Sequence, residues 1–386
     1  MLRNLLLIVL FSILGVFGGT EQKCLVPKKK VRKQIETLRK HYGNIGLSVV
    51  VVKNNRIVYS DNFGYNPDLT DPRQGKPIRK NDLFYIASIS KTFVGTAIMQ
   101  LVEDGKLSLE DDVNRYLDFN LRNPNFPDTP ITIRMLLSHL SSLKKGADYD
   151  DFDKINPEKA DDLNAFFNDY PPGKKADYSN LGFVILGAVV EKVTGMRFDD
   201  YVQKHILKPL RLHGGYDVSR LERSKLVYPC RYRDDHFVVQ KKAYASVDKK
   251  AHHYILGYCT PMLNPAGGLK ISATDLAKYM MMHINKGKFR WRKRVVAKES
   301  EEQMWKGQNK TAYGLSFVHF LKVIPGEDLV GMNGANHGIH SSMYFHPEKK
   351  YGFVVICNGC NSKTYADSGL NNEIIRMLYN SIIKEN

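Results

Sequence analysis

The stretch that decides the fold is Phe84-Tyr85-Ile86-Ala87-Ser88-Ile89-Ser90-Lys91-Thr92-Phe93, where an apolar run passes through small residues into a helix. Ser88 and Lys91 are three residues apart, and on the first turn of a helix that spacing stacks both side chains on one face. A serine hydroxyl needs a neighbouring base to act as a nucleophile. A lysine becomes that base when burial lowers its pKa from about 10.4 toward neutrality. The stretch therefore predicts a serine nucleophile, a lysine base and a backbone N–H that can hold an oxyanion.

The Ser-x-x-Lys spacing is not specific by itself in a chain this rich in lysine. It recurs at four other places, Ser141/Lys144, Ser142/Lys145, Ser246/Lys249 and Ser381/Lys384. The surroundings of each serine must therefore separate a nucleophile from a chance match. Ser88 is favoured because its apolar neighbours can supply the desolvation that a lysine base requires.

The rest of the chain predicts strands at both ends and helices between them. Ile45–Val52 and Ile57–Tyr59 flank Asn54-Asn55, which is typical of a β-hairpin. Further strands are predicted over Leu315–Val323, Met343–Phe345 and Tyr351–Cys357, and helices over Lys28–Lys40, Pro130–Leu140, Leu181–Val193 and Asn371–Ile383. We expect an α+β fold, in which the terminal strands form one antiparallel sheet flanked by helices, with a mainly helical region inserted between its two halves.

Length and composition indicate a globular protein with a large core. The chain has 386 residues, of which 43% are hydrophobic and 25% charged. Its net charge of +17 is spread along the sequence, which predicts a solvated basic surface with weak attraction to anionic envelope surfaces. The sequence carries no nucleic-acid-binding motif, so we expect no nucleic-acid partner. The segment from Lys144 to Asp169 is polar and acidic, and we expect it on the surface.

The first residues have the pattern of an export signal. In residues 1–20, Arg3 precedes an apolar run from Leu5 to Val16, and small residues follow. We expect a signal peptide over 1–20, a basic helical segment over 21–44 and the main domain over 45–386. The protein would then be periplasmic or extracellular, or membrane-anchored if the signal is not cleaved. Export permits disulfides, so Cys230 and Cys259 can pair.

A second candidate element joins a tyrosine and an asparagine on a turn before a helix. Tyr178 and Asn180 follow Pro171-Pro172-Gly173 and precede the apolar Leu181–Val193 segment, so both can project into one cleft. A tyrosine whose pKa is lowered from about 10 by a nearby lysine can relay a proton. The asparagine amide can bind a substrate carbonyl. The same Tyr-x-Asn spacing occurs at Tyr42/Asn44, so the pair is not specific alone.

Five segments together resemble the β-lactamase-related serine hydrolases, a group that includes class C β-lactamases, D-Ala-D-Ala carboxypeptidases of the penicillin-binding type and esterases. They are Ile86–Phe93, Leu107–Asp112, Ile131–His139, Pro172–Gly182 and Pro265–Leu269. The resemblance runs from about residue 45 to the C-terminus. It implies the β-lactamase/transpeptidase-like fold, Ser88 as the acylated nucleophile, Lys91 as its base, Tyr178 as proton shuttle and Asn180 as a substrate contact. It implies no metal or organic cofactor.

The third motif of that family departs from its pattern here. The family has Lys-Thr-Gly or His-x-Gly on an edge strand, and the segment Gly338–Pro347 aligns this motif with Met332-Asn333-Gly334. The resemblance then makes Asn333 and Gly334 substrate contacts and gives Ala335 the second oxyanion N–H. Met332 replaces a cation that favours substrates with a carboxylate. His337 or His340 is a candidate for the missing cation.

Three functions follow from this reasoning. The first is an exported serine hydrolase that acts on an amide, lactam or ester through an acyl-enzyme. The second is a D-Ala-D-Ala carboxypeptidase or penicillin-binding protein, acting on a cell-wall peptide. The third, from a different class, is a catalytically silent binding protein on the same fold.

Overall fold

The computed structural model describes residues 28–244, 253–289, 294–360 and 369–384. The expected signal in residues 1–20 lies outside the described residues, as does Cys24. The basic segment predicted over 21–44 forms a helix over Lys28–His41, one residue beyond the Lys40 end predicted from the periodicity, and its residues 21–27 lie outside the described residues. Within the described ranges, no helix is both long and apolar enough to cross a membrane.

The frame of the molecule is a seven-stranded sheet. The strands, in chain order, are β1 (Gly46–Lys53), β2 (Arg56–Pro67), β3 (Gly75–Pro77), β4 (Leu83–Tyr85), β5 (Gly214–Gly215), β6 (Leu226–Val227), β7 (Cys230–Arg233), β8 (His236–Val239), β9 (Lys270–Ile271), β10 (Val318–Phe320), β11 (Leu329–Asn336), β12 (Ile339–His346) and β13 (Tyr351–Asn358). The large sheet has the order β10-β11-β12-β13-β1-β2-β3, and every neighbouring pair is antiparallel. The N-terminal and C-terminal strands meet at the β1–β13 pair, which confirms the predicted joining of the two ends.

Most helices come between the two groups of strands in the sequence, and they cover the faces of the sheet. They are α1 (Lys28–His41), α2 (Ser90–Glu103), α3 (Ile133–Leu137), α4 (Asn180–Thr194), α5 (Phe198–Val202), α6 (Lys208–Leu210), α7 (Ala273–Ile284), α8 (Lys298–Trp305) and α9 (Gly369–Leu378). Helix α9 continues into a π-helical turn over Tyr379–Lys384. The α+β fold with an inserted, mainly helical region is therefore confirmed.

The sheet separates two hydrophobic cores. On strand β1, Val49 and Val51 belong to the outer core with α1 and α9, whereas Val50 and Val52 belong to the larger core with α2, α4 and α7. Alternate side chains of a strand point to opposite faces, so a continuous run of valines is what a strand covered on both sides requires. The Ser88 stretch lies on the side of the larger core.

A second, smaller sheet holds the strand that leads to Ser88. Its order is β5-β9-β4-β6, and β4 pairs antiparallel with β9 at Phe84–Ile271 and Tyr85–Lys270. The hairpin of β7 and β8 forms a separate two-stranded ribbon. Neither feature is apparent in the sequence patterns, because these strands have only two to four residues each.

Several local predictions need correction. The segment 144–169 is not wholly on the surface, since Phe152, Ile155, Phe166 and Phe167 are buried. The strand expected over Leu315–Val323 is confined to Val318–Phe320, because Ser316 has φ +70° and leaves the extended conformation. The helix expected over Pro130–Leu140 spans only Ile133–Leu137. Cys230 and Cys259 are free thiols, so the disulfide that the sequence left open is not formed.

Candidate active site

A tight turn between β4 and α2 presents Ser88. Ala87 has φ +49°, a left-handed conformation that is uncommon for a residue with a side chain, and a 3₁₀ turn over Ala87–Ile89 follows it. Ser90 fixes this turn, because its hydroxyl donates to the Ala87 carbonyl at 2.7 Å and accepts from the Leu269 N–H at 3.1 Å. Ser88 is thereby held half-buried at the start of helix α2.

Lys91 lies under Ser88, one helical turn further on, and its side chain is completely buried. Its Nζ is 3.1 Å from Ser88 Oγ and donates to the Asn180 Oδ1 at 2.7 Å and the Ala266 carbonyl at 2.8 Å. Burial lowers the pKa of the amine well below its usual 10.5. This agrees with the sequence-based expectation of a desolvated lysine.

The hydrogen bonds of Lys91 match a neutral amine. A neutral amine has two N–H groups and one lone pair, and the two N–H groups are taken up by Asn180 and Ala266. In that neutral form the lone pair would point to Ser88 Oγ, 3.1 Å away, where the ammonium form donates instead. The neutral form, which burial favours, would let Lys91 accept the serine proton.

Tyr178 contacts Ser88 from the other side. Its hydroxyl donates to Ser88 Oγ at 2.7 Å, and its ring lies 4.9 Å from Lys91 Nζ. The prediction that lysine lowers the pKa of this tyrosine is wrong. Burial raises its pKa above the ordinary 10.0, and the contact with Ser88 offsets only part of that rise. Tyr178 is therefore a neutral phenol in the resting site.

His139 fixes the turn that carries Tyr178, a contribution that the sequence reasoning missed. Its Nδ1 accepts from the Ser179 N–H at 3.0 Å, its carbonyl accepts from the Asp177 N–H at 2.9 Å, and its ring packs 4.5 Å from that of Tyr178. Burial lowers the pKa of His139 to about 3, so the ring is neutral. This histidine ends the Ile131–His139 segment. His139 has φ +62°, a left-handed conformation that no sequence pattern predicts.

Strand β11 brings the third motif against Ser88. A Cβ on Gly334 would lie 2.5 Å from the Ile86 carbonyl oxygen and 2.8 Å from the Ser88 nitrogen, so the strand can approach this closely only at a glycine. Ser341 on β12 ties the same two segments, because its hydroxyl donates to the Ile86 carbonyl at 2.7 Å. Ala335 is exposed and comes directly after Gly334, and Asn333 is half-buried just before it.

The strand that carries the motif is next to the edge, because the short strand β10 pairs with part of β11. Met332 is only 2% exposed and belongs to the larger hydrophobic core. Neither candidate histidine replaces the absent cation. Burial lowers the pKa of His340 to about 4, and burial followed by the charge of Arg231 lowers that of His337, so both rings are neutral at pH 7.

Tyrosines surround the cleft next to Ser88. Tyr149, from the segment 144–169, is half-buried and raises the pKa of both Tyr85 and Tyr178, which places it near the two rings. Tyr313 packs edge-on against His139 at 5.0 Å. Burial raises the pKa of Tyr85 to about 12, and the amide of Asn336 donates to its hydroxyl at 3.4 Å. Backbone groups such as the Ala266 carbonyl were not identified from the sequence, because a carbonyl has no residue signature.

Comparisons with known proteins agree with the geometry of the site. A family model described as Beta-lactamase matches residues 31–372. Protein flp of Staphylococcus aureus (strain MRSA252) is 24% identical over 349 residues, which cover 85% of this chain and 63% of that protein. Penicillin-binding protein 4* of Bacillus subtilis (strain 168) is 34% identical over 193 residues, 47% of this chain and 41% of that protein. The chain therefore spans less than two thirds of the length of either relative.

A solved structure extends the likeness over most of the chain. The octameric penicillin-binding protein homologue from Pyrococcus abyssi has 26% identity and a TM-score of 0.71, and the match covers 92% of this chain and 78% of that one. This confirms the β-lactamase/transpeptidase-like fold that the sequence resemblance implied. The family match spans more than half of the residues, so this chain belongs to the Beta-lactamase family.

Proposed function

We propose that this protein is a serine hydrolase that forms an acyl-enzyme at Ser88 and acts on an ester, amide or lactam. One observation carries the proposal. Ser88 Oγ lies 3.1 Å from the Lys91 amine and 2.7 Å from the Tyr178 hydroxyl, and the remaining hydrogen-bond partners of the lysine leave its lone pair to the serine. A nucleophile within hydrogen-bond reach of a base that a third group orients is the arrangement that covalent catalysis needs.

The acylation step follows from these positions. Ser88 transfers its proton to Lys91 Nζ while Oγ attacks the substrate carbonyl carbon. The negative charge that develops on the carbonyl oxygen is held by the backbone N–H groups of Ser88 and Ala335. Tyr178 donates to Oγ throughout and stabilises the forming alkoxide. When the C–O or C–N bond of the leaving group breaks, that group takes up a proton from the Lys91–Tyr178 pair.

Deacylation reverses the roles. A water molecule gives one proton to the same pair, its oxygen attacks the ester carbonyl of the acyl-enzyme, and Ser88 Oγ leaves and recovers a proton. Tyr178 acts as a neutral acid in this scheme rather than as a tyrosinate, because burial keeps its pKa high. The pair returns to its starting protonation after each turnover.

A penicillin-binding protein is the second candidate. It is favoured by the similarity to penicillin-binding protein 4* and to the Pyrococcus abyssi homologue. Met332 weighs against it, because a buried methionine cannot pair with the carboxylate of a penicillin or of a terminal D-alanine. A silent binding protein on this fold is the third, and the intact contacts around Ser88 weigh against that function.

Export of the protein is part of the proposal. The composition of residues 1–20 supports a signal peptide, and the basic surface supports weak attraction to anionic envelope surfaces. We propose a periplasmic or extracellular location, with membrane anchoring if the signal is retained. N-terminal sequencing of the protein recovered from the producing cells tests this, because a start near residue 20 requires cleavage.

The function is tested by intact mass and turnover, with wild type and Ser88→Ala side by side. Hydrolysis of p-nitrophenyl butyrate by wild type alone supports a hydrolase. A lasting adduct with benzylpenicillin that Ser88→Ala lacks identifies the penicillin-binding protein instead. If wild type turns over neither compound and a fluorophosphonate does not label Ser88, the proposal fails and the silent binding protein remains.

A further inference from the structure

The hairpin β7–β8 sits on the turn where the third-motif strand ends. Beyond Ala335, strand β11 ends at Asn336, and the chain turns through His337 and Gly338 into β12. A Cβ on Gly338 would lie 2.0 Å from the Cys230 carbonyl oxygen and 2.9 Å from the Arg231 Cα. Gly338 has φ +87°, so both its conformation and its surroundings require a glycine. The hairpin is thus in direct backbone contact with the cleft end of β11.

The side chain of Asn358 holds the hairpin in this position. The Cys230 N–H donates to Asn358 Oδ1 at 2.9 Å, and Asn358 Nδ2 donates to the Tyr228 carbonyl at 2.8 Å. Asn358 is fully buried at the end of β13 and pairs in register with Ile339. The first residues of the hairpin therefore hold a set position relative to the end of β11.

Arg231 is the cation that this arrangement brings beside the turn between β11 and β12. Its side chain is half-buried, and none of the carboxylates in the described ranges lies within 4.0 Å of its guanidinium. It lies close enough to His337 to lower the pKa of that ring. His337 in turn packs 5.7 Å from Tyr85, and the Asn336 amide donates to the Tyr85 hydroxyl.

Among the described residues, Arg231 forms no ion pair, and its neighbour His337 is neutral at pH 7. A half-buried guanidinium loses part of its hydration, and pairing with an anion recovers it. The five N–H groups of arginine are arranged to grip a carboxylate with two bonds. The position next to the cleft makes the substrate the natural source of that anion.

We propose that Arg231 binds a carboxylate or similar anionic group of the substrate, in a subsite beyond Ala335. This inference rests on the proposed hydrolase function and names its substrate class. The family pattern expects a cation at the position of Met332, whereas Arg231 contacts the turn after β11, at Gly338, six residues further along the chain. The cation is thus placed beyond the C-terminal end of the strand and not at the first position of the motif.

The spacing along the chain sets the separation between the anion and the reacting carbonyl. Ala335 offers the oxyanion N–H, and His337, beside Arg231, comes two residues later, just past the end of β11, which at the rise of a strand is about 7 Å. A carboxylate separated from the scissile carbonyl by several methylene groups fits that span. A dicarboxylic acid monoester or an acyl group with an acidic end is the class of substrate that we expect.

The test compares two esters that differ only in charge. They are the p-nitrophenyl monoester of adipic acid and its methyl ester, which masks the distal carboxylate. We expect wild type to prefer the free acid in kcat/KM. Arg231→Gln lowers kcat/KM for the free acid by about 10- to 100-fold, the range of a charge-assisted hydrogen bond, and leaves the methyl ester within about twofold. Arg231→Lys retains part of the preference.

Arg233→Gln is the matched control, because it removes the same charge from an exposed position on the same strand and keeps the hairpin. It leaves both esters within about twofold of wild type. A third ester, with the carboxylate on the leaving group, shows on which side of the scissile bond the anion binds. Sensitivity of that ester to Arg231→Gln supports the subsite equally.

Two outcomes overturn the inference while the proposed function stands. In one, wild type hydrolyses the free acid and the methyl ester equally well. In the other, Arg231→Gln lowers kcat/KM for all esters to the same extent, which indicates a structural role of the hairpin. If wild type hydrolyses none of the esters and no probe labels Ser88, the proposed function itself has failed.

Discussion

The buried amine of Lys91 controls how the site responds to pH. Its pKa in the folded chain is well below 10.5 because it is removed from water, whereas in the unfolded chain it returns to the ordinary value. The unfolded chain therefore binds more protons at this residue between the two pKa values. This contribution favours unfolding most at low pH and diminishes as the pH rises toward 10.5. In the proposed mechanism, the same burial allows Lys91 to act as a base near neutral pH.

The first prediction concerns the protonation of that amine. As the pH falls through the folded-state pKa, Lys91 becomes an ammonium ion and loses the lone pair that faces Ser88, so acylation slows. We expect Lys91→Met to lower the rate of Ser88 acylation by about 10²–10⁴-fold and to remove this pH dependence. Fluorophosphonate labelling followed by mass spectrometry between pH 5 and 9 measures both. A wild-type rate that is flat over that range, together with an active Lys91→Met, contradicts the role of Lys91.

The second prediction concerns the neutral phenol of Tyr178. Because its pKa is raised above 10.0, we expect ester hydrolysis to show no loss of activity from this group up to about pH 10. Tyr178→Phe keeps the ring that packs on His139 but removes the O–H, and we expect turnover to fall by about 10²–10⁴-fold. Tyr149→Phe is the control, since no hydrogen bond joins it to Ser88 in the described residues. A decline that sets in near pH 8 and disappears in Tyr178→Phe would show a tyrosinate instead.

The third prediction concerns the close approach of β11 to the nucleophile. The Cβ of Gly334→Ala would lie 2.5 Å from the Ile86 carbonyl oxygen, so the strand must move away and the two oxyanion N–H groups separate. We expect kcat to fall by about 10²–10³-fold, the usual effect of losing one oxyanion donor. Gly182→Ala is the matched control, because its Cβ meets its neighbours at 3.5 Å or more. Equal kcat values for Gly334→Ala and Gly182→Ala would contradict this prediction.

At the scale of elements, the sequence predicts a helix or strand correctly where the whole pattern lies within one continuous segment. Local patterns of adjacent residues predict the β1–β2 hairpin and the buried helix α4. The Ser88 turn is likewise predicted from residues that are adjacent in the sequence. The small sheet around β4 and the β7–β8 hairpin depend on partners far along the chain. The site divides in the same way. Ser88, Lys91, Tyr178 and Gly334 come from recognisable motifs, whereas the Ala266 carbonyl and the Ser341 hydroxyl act through backbone contacts.

The segment 144–169 shows why composition misleads at this scale. Its apolar residues are few and widely spaced, yet Phe152 is fully buried and packs edge-on against Phe119 and Tyr258. Two short 3₁₀ turns, Phe152–Ile155 and Leu163–Phe166, place the aromatic side chains inward and leave the acidic ones outside. A few aromatic residues therefore anchor a polar segment beside the cleft, where it contributes Tyr149.

The fourth prediction measures that anchoring. Phe152→Ala removes a fully buried ring, and we expect the free energy of unfolding to fall by about 3–5 kcal/mol. Leu321→Ala is the control, because Leu321 is 65% exposed and its change stays within about 0.5 kcal/mol. Urea unfolding followed by tryptophan fluorescence gives both values. A loss below 1 kcal/mol for Phe152→Ala would return the segment to the surface, as its composition suggested.

At the scale of the whole molecule, the two ends of the chain build one face together. Helix α1 buries Val31 and Ile35 against the outer core that α9 and the sheet also form, and Tyr42 donates to Glu373 at 2.6 Å. This face lies across the sheet from the core that holds Ser88. The molecule thus separates the side that carries Ser88 and Lys91 from a side where the basic helix α1 lies.

The last prediction concerns that basic surface. Helix α1 has seven Lys and Arg residues and one Glu, and Lys28, Lys29, Lys30 and Lys33 are exposed without an ion pair in the described residues. Each such charge near an anionic lipid surface contributes about 1 kcal/mol. We expect binding to vesicles of phosphatidylcholine with phosphatidylglycerol at low salt, and its loss in pure phosphatidylcholine. We also expect loss at about 0.5 M salt, where the Debye length is only a few ångströms.

A control variant distinguishes binding through helix α1 from binding through the net charge of the whole protein. Changing the four exposed lysines of α1 to glutamine should lower vesicle binding in a flotation assay by about 10-fold or more. The control variant changes Lys204, Lys208, Lys306 and Lys310 and loses the same total charge. If both variants lose binding equally, the attraction comes from the overall charge of +17 and α1 has no special role. If only the α1 variant loses it, the helix orients the cleft away from the membrane, since the helix and Ser88 lie on opposite sides of the sheet.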